Sequence, residues 1–285
     1  MKNWIYLLVA MSIMLAGCTD SKENPEQGTE TEEMVTVEDA NEMQLVSEKY
    51  FVDNELTTYS EYKYSPDNNS TEGYTYFANG TLKSHYLEEY DSNGNLLSYV
   101  CYDSNEHVTE RREYSYNERG EELTCTTYMQ ENPSSEMLTY TTENKYNATG
   151  QLIQIVRNEN GMSYIYNEFE YDEDGNKLLE KTVLPDGSIS SITSYTYDDS
   201  GLEISSSTDF PGLGWTLRTE KAYDEKGNVI QELNYNGDTP SLFIYSEYDA
   251  QGNPLSERYE SYSSSTGALE DTFTTKYEYT YETTE

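Results

Sequence analysis

The chain has 285 residues and a formal charge of −37. Acidity this strong excludes a phosphate-neutralising nucleic-acid surface and docking on an anionic membrane face. With 30 Tyr but 6 Phe and 2 Trp, and 35% hydrophobic residues in all, aliphatic side chains are too scarce for a thick two-layer core. Tyrosine buries a ring and keeps a hydroxyl wet, which suits a thin sheet with two half-exposed faces.

Residues 1–17 read as a signal peptide: Lys2, then an apolar run from Trp4 to Ala16 that is too short and too early for an ordinary transmembrane helix. The following Leu15-Ala16-Gly17-Cys18 resembles the bacterial lipobox. That resemblance implies lipidation of Cys18, a membrane partner reached through a lipid anchor, and a folded part lying outside the cytoplasm, at the surface or in the periplasm. Residues 18–45 carry nine acidic residues and one lysine between Thr19 and Gln44, with no hydrophobic period, and read as a disordered acidic tether.

Residues 46–285 are a tandem repeat. Tyr, then Asp or Asn, two variable residues, Gly, two variable residues, then Leu or Ile opens at Tyr90, Tyr116, Tyr146, Tyr171, Tyr197, Tyr223 and Tyr248, in steps of 25–30 residues. Tyr64 starts an end copy without the glycine. Asp or Asn starts a turn by bonding its own backbone two residues on. Gly94, Gly120, Gly150, Gly175, Gly201, Gly227 and Gly252 supply the positive φ that ends it. Leu97, Leu123, Ile153, Leu178, Ile204, Ile230 and Leu255 begin the outgoing strand. A second turn follows at Asn79-Gly80, Asn160-Gly161, Asp186-Gly187, Asn236-Gly237 and Thr266-Gly267, with Pro133, or Pro211 with Gly212 and Gly214, in other copies. The unit is strand, turn, strand, turn: a β-hairpin of about 26 residues. Period-2 alternation agrees, placing Val108, Glu110, Arg112, Tyr114 and Tyr116 on one face, and Ile165, Asn167, Phe169 and Tyr171 on one face.

The stretch FEYDEDGNKL tests a calcium reading. Counted from Asp172, an EF-hand loop needs Gly at its sixth position and Glu at its twelfth, where this chain has Lys177 and Val183. The carboxylates are turn chemistry.

The frame resembles the YD (RHS-type) repeat of bacterial surface and secreted proteins, over roughly residues 60–285. That resemblance implies hairpins running on as one continuous sheet, which in large toxins wraps into a hollow shell. Here the aliphatic falls three residues after the glycine rather than two, and the chain is short with no attached toxin domain. The expected fold is all-β: about 16 strands in a curved or spiralling single-layer antiparallel sheet, with equivalent tyrosines on every second strand.

Catalytic chemistry is not legible. His85 and His107 lie outside any metal spacing, and no phosphate loop, nucleophile elbow or zinc pattern occurs. No cofactor and no enzyme activity are expected. In a flat meander the strands of Cys101 and Cys125 flank a third, which holds them too far apart for a disulfide and leaves free thiols. The seven frame tyrosines are the candidate ligand-stacking residues. The reading is a non-enzymatic, lipid-anchored envelope protein that presents its sheet to a polysaccharide or an envelope protein. The alternative is an acidic immunity or inhibitor protein masking a basic toxin. Oligomeric state is left open.

Overall fold

The computed structural model describes residues 43–130 and 137–283. The signal peptide, Cys18, Pro133 and most of the tether lie outside the described residues. The described chain is all strand and turn: β1 (Met43–Val52), β2 (Glu55–Tyr64), β3 (Ser70–Phe77), β4 (Leu82–Tyr90), β5 (Leu96–Asp103), β6 (Val108–Tyr116), β7 (Glu122–Met129), β8 (Leu138–Tyr146), β9 (Leu152–Glu159), β10 (Met162–Tyr171), β11 (Lys177–Val183), β12 (Ile189–Tyr197), β13 (Glu203–Phe210), β14 (Trp215–Tyr223), β15 (Val229–Asn236), β16 (Thr239–Tyr248), β17 (Pro254–Tyr262) and β18 (Leu269–Thr283). β1 begins within the stretch read as tether.

Each strand pairs antiparallel with its neighbours in sequence, and β1 pairs with both β2 and β18. The sheet is therefore a closed 18-stranded barrel. This corrects the expected open, spiralling sheet. The single antiparallel layer is as expected, but its ends meet.

The cause of closure repeats at every frame tyrosine. Tyr90 faces Leu96 while Glu89 faces Ser98, so Leu97 is an extra residue. The same register shift falls at Tyr116, Tyr146, Tyr171, Tyr197, Tyr223 and Tyr248. A bulge bends its strand and increases local twist. Seven bulges at equivalent positions, with eight further register shifts elsewhere in the sheet, supply the bend and twist that closure requires. The two strands beyond the expected count are β1 and β2, which precede the turn of the Tyr64 copy.

The repeat turns form as read. Asp172 Oδ1 accepts the amides of Asp174 (3.0 Å) and Asn176 (2.8 Å), its Oδ2 accepts from Asn176 Nδ2 (2.9 Å), and Gly175 has φ +94°. Two turns at the other end were not legible: Asp53-Asn54, at φ 49° and 66°, and Asp103–His107, where Glu106 at φ 65° takes the place glycine has elsewhere.

Register divides the side chains into two faces. The frame tyrosines share theirs with Gly73, Thr127, Asn167, Tyr259 and Thr275, all of which are buried. Side chains converge on the concave side of a closed sheet, so this is the inner face. Two of the remaining register shifts bear on the alternation read from the sequence and correct it: Val108 pairs with Tyr102 and Ile165 with Val156, both on the outer face. Eighteen strands at roughly 4.8 Å each make a wall about 86 Å around, wide enough to leave water inside. Tyr259 is the single buried hydrophobic residue among those described, so ladders and cross-strand pairs hold the barrel rather than a packed core.

Candidate functional site

The inner wall is built from the repeat upward. Each bulge leaves a carbonyl beyond the last pair of the following ladder, as at Leu96, where β5 and β6 begin pairing at Ser98 and Glu113. The next frame tyrosine reaches that carbonyl. Tyr116 donates to Leu96 O (2.8 Å), Tyr146 to Glu122 O (2.8 Å), Tyr171 to Leu152 O (2.7 Å), Tyr197 to Lys177 O (2.8 Å), Tyr223 to Glu203 O (2.6 Å) and Tyr248 to Val229 O (2.9 Å). Tyr64 and Tyr279 extend the row to Leu45 O (2.8 Å) and Pro254 O (2.9 Å). Tyr90 follows the copy that lacks glycine, and it donates to the Glu88 carboxylate instead (2.7 Å). The hydroxyls of the seven candidate stacking residues are thus already engaged, and their rings stay half-buried along the wall.

A second set of tyrosines, which frame reasoning passed over, gathers where the barrel closes. Glu257 accepts from Tyr259 (2.6 Å) and Tyr277 (2.8 Å), and Glu48 accepts from Tyr62 (2.7 Å). The Tyr50 and Tyr277 rings lie 5.4 Å apart across the β1–β18 seam. Burial, then the adjoining Glu257 or Glu48 charge, raises the phenols of Tyr50, Tyr62 and Tyr277 above the ordinary tyrosine value. The sequence signal for this set was the dense tyrosine run of β18, "KYEYTY".

Charge on the inner wall is uneven. From β6 to β15 four cations each hold a carboxylate: Arg112 with Glu110 (2.6 Å), Arg157 with Glu159 (2.9 Å), Lys177 with Glu180 (2.9 Å) and Lys221 with Glu203 (2.9 Å). From β16 through the seam to β5, Lys49, Lys63, Arg258 and Lys276 register on the outer face, and Lys83 is the exposed extra residue of a bulge near the start of β4. Glu48, Glu88 and Glu257 in that sector are met by tyrosine hydroxyls instead. The seam is therefore an anionic wall of aromatic rings, able to stack a flat ligand and accept its hydroxyl or ammonium protons.

The outer face carries ion pairs in mid-sheet, including Arg111–Glu113, Arg218–Glu220, Arg258–Glu260 and Lys181–Glu170. Leu97, Leu123, Ile153, Leu178, Ile204, Ile230 and Leu255 add a broken ring there, each 38–43% exposed. Among the described residues, neither face carries the continuous apolar band of a lipid-embedded barrel, where each charge at mid-depth costs about 2–4 kcal/mol.

Cys101 and Cys125 are unbonded on the inner face, on either side of β6, and burial raises the Cys125 thiol. His85 packs on the outer face between Tyr74 and Tyr102, with ring centroids at 5.2 and 4.4 Å. His107 lies 3.3 Å from the Asp103 carboxylate in the adjoining turn.

No family model matches the chain, and no curated protein does either. Among solved structures, a porin-like protein from Bacteroides uniformis is similar over 83% of this chain and 98% of its own, at 10% identity and a TM-score of 0.40. The Photorhabdus luminescens Tc holotoxin pore is similar over 71% of this chain, at 14% identity and a TM-score of 0.30. TcdB2-TccC3 is similar over 79%, at 13% identity and a TM-score of 0.28. This chain spans 15% and 18% of the length of those two toxin chains.

Proposed function

We propose that this is a non-enzymatic, lipid-anchored protein of the bacterial envelope whose barrel stands outside the cytoplasm and holds a polysaccharide against its inner wall. The observation that carries the reading is the seam, where Tyr50, Tyr62, Tyr259 and Tyr277 surround Glu48 and Glu257 and no Lys or Arg of β16–β18 or β1–β3 registers on the inner face. Rings stack on the apolar faces of sugars, and carboxylates accept sugar hydroxyls through charge-assisted bonds. The lipobox at Cys18 supports the anchor, and the seven-copy frame supports kinship with YD-repeat proteins. Charged pairs on the outer face favour a barrel in water, tethered to a membrane rather than inserted in it.

The test is binding of the purified protein to a panel of bacterial and host glycans. Binding that falls at least about tenfold in Tyr50→Ala and Tyr277→Ala supports the reading. Silence across the panel, or binding indifferent to both substitutions, overturns it.

A further inference from the structure

The barrel's two rims differ. Both ends of the barrel chain, Met43 and Thr283, lie at the rim of the repeat turns, because β1 starts there and β18 finishes there. Hairpin tips on that rim are polar, such as Ser92-Asn93, Glu118-Arg119, Glu173-Asp174 and Asp199-Ser200. The opposite rim carries large exposed apolar side chains on the three consecutive hairpins β9–β10, β11–β12 and β13–β14, and on the adjoining ends of β7 and β8. Met129, Leu138, Met162, Leu184, Leu213 and Trp215 are each 41–66% exposed, with Leu213 the most. Register puts Met129, Leu138, Met162 and Trp215 on the inner lip. On the outer lip a shallow groove between β10 and β12 runs over Ile165, Val183, Leu184 and Ile189, with Glu168 on its wall beside Lys181, whose charge is held by Glu170 at 2.8 Å. Strand pairs at about 9–10 Å spacing from β7 to β14 make a crescent roughly 30 Å long.

Charge decides what fits. Tip residues 160–161, 184–188 and 211–214 contain no Lys or Arg, Asp186 sits at the centre of one tip, and Glu159 and Asp209 flank the others. A second copy of the chain would bring another −37 charges against this rim. Anionic lipid is repelled for the same reason. Apolar anchors among carboxylates match a surface that alternates apolar and basic residues.

We propose that this crescent docks a cationic amphipathic segment of a partner protein, with its apolar side chains seated over Leu184, Leu213 and Trp215 and its Lys or Arg side chains on Asp186, Glu168 and Asp209. The site is separate from the inner-wall seam, since the two share no residue. It lies at the rim opposite the one where Met43 and Thr283 stand.

The test uses the full chain in detergent micelles and a synthetic amphipathic Lys/Leu peptide, followed by fluorescence anisotropy. Binding is expected to weaken at least about tenfold in a Met162→Ser, Leu184→Ser, Leu213→Ser, Trp215→Ser variant. It is expected to persist in Leu97→Ser, Ile230→Ser, which changes the outer ring near the other rim. Circular dichroism checks the fold, and if the fourfold variant does not fold, Leu213→Ser alone is read, because that side chain stands mostly in solvent. Equal binding of a Lys/Ser peptide of the same charge would reduce the effect to bulk electrostatics and overturn the proposal. So would unchanged binding by the tip variant, no binding at all, or phosphatidylcholine vesicles or self-association occupying the crescent in place of the peptide. A failed glycan panel leaves this result untouched, because it reads different side chains.

Discussion

Tyr116 donates its hydroxyl to the carbonyl of Leu96 at 2.8 Å, and the two residues belong to consecutive copies of one repeat frame. The tyrosine therefore seals a carbonyl that the preceding copy's bulge leaves beyond its ladder. Turn, bulge and tyrosine form one device: the turn sets the bulge, the bulge curves the wall, and the hydroxyl satisfies what the bulge exposes.

Removing one such hydroxyl leaves the ring in place and the carbonyl unpaired. Tyr197→Phe and Tyr223→Phe are each expected to cost about 0.5–1.5 kcal/mol in urea unfolding followed by circular dichroism. Loss of stability in neither variant would show that water serves these carbonyls equally well.

Gly73 is a different kind of glycine. It sits within β3, buried on the inner face, and a Cβ there would collide with the ring of Tyr86, its partner on β4. Gly73→Ala is expected to destabilise by about 1–3 kcal/mol through overpacking. In a Tyr86→Ala background the same change should cost much less, giving a coupling of about 0.5–3 kcal/mol in a double-mutant cycle. Strict additivity would mean that the ring moves aside freely.

Much of this was legible in the sequence, for identifiable reasons. Turns such as Asp172–Gly175 depend on local chemistry, so the frame placed them correctly. Faces depend on counting by two, and the count breaks wherever an extra residue enters, as before Asn167 and after Val108. Closure depends on how curvature accumulates over the whole array, and no single repeat contains it. The meeting of the seam tyrosines was hidden for the same reason, although the tyrosine run of β18 stood in the sequence. Tyr50 and Tyr277 are 227 residues apart and meet only when the first and last strands pair.

The repeat-turn aspartates make acid stability testable. Hydrogen bonds from Asn176 hold the Asp172 carboxyl below its usual value, and Asp224 and Asp249 are held down by Asn228 and Asn253. A group depressed on folding contributes stability that is present above its unfolded pKa of about 3.9 and is lost as pH falls through the folded value. Asn replaces Asp without disturbing the turn in two native copies, where Asn117 and Asn147 accept the same pair of amides. An Asp172→Asn, Asp224→Asn, Asp249→Asn variant should therefore lose less stability than the wild type between neutral pH and about pH 3. An identical fall in urea midpoint for both proteins would remove these three groups from the acid limb.

The tyrosines set the opposite limb. Burial, then the Glu122 charge, pushes the Tyr116 phenol up to about 12. A phenol raised on folding contributes stability that is whole below the unfolded value of about 10 and is lost as pH rises through the folded one. Unfolding between about pH 10 and 12 should therefore coincide with a late, steep rise in phenolate absorbance. Smooth ionisation near pH 10 with the fold intact would mean that the inner wall is open enough to solvate every phenolate.

Closure itself has a covalent test. Lys49 on β1 faces Glu278 on β18, their side chains 3.5 Å apart on the outer face. Paired residues on adjacent antiparallel strands have Cα atoms about 4.5–5.5 Å apart, within the range a disulfide spans. A Lys49→Cys, Glu278→Cys variant should therefore oxidise to an intramolecular bond that closes a loop spanning 229 positions. The product should run faster on a non-reducing gel and resist urea better than its reduced form, since so long a loop gains about 5 kcal/mol in the chain-entropy limit. In an open spiral the two positions would lie at opposite edges of the sheet, and oxidation would give only dimers or bonds to Cys101 and Cys125. An intramolecular 49–278 bond forming readily in dilute protein requires β1 and β18 to be neighbours.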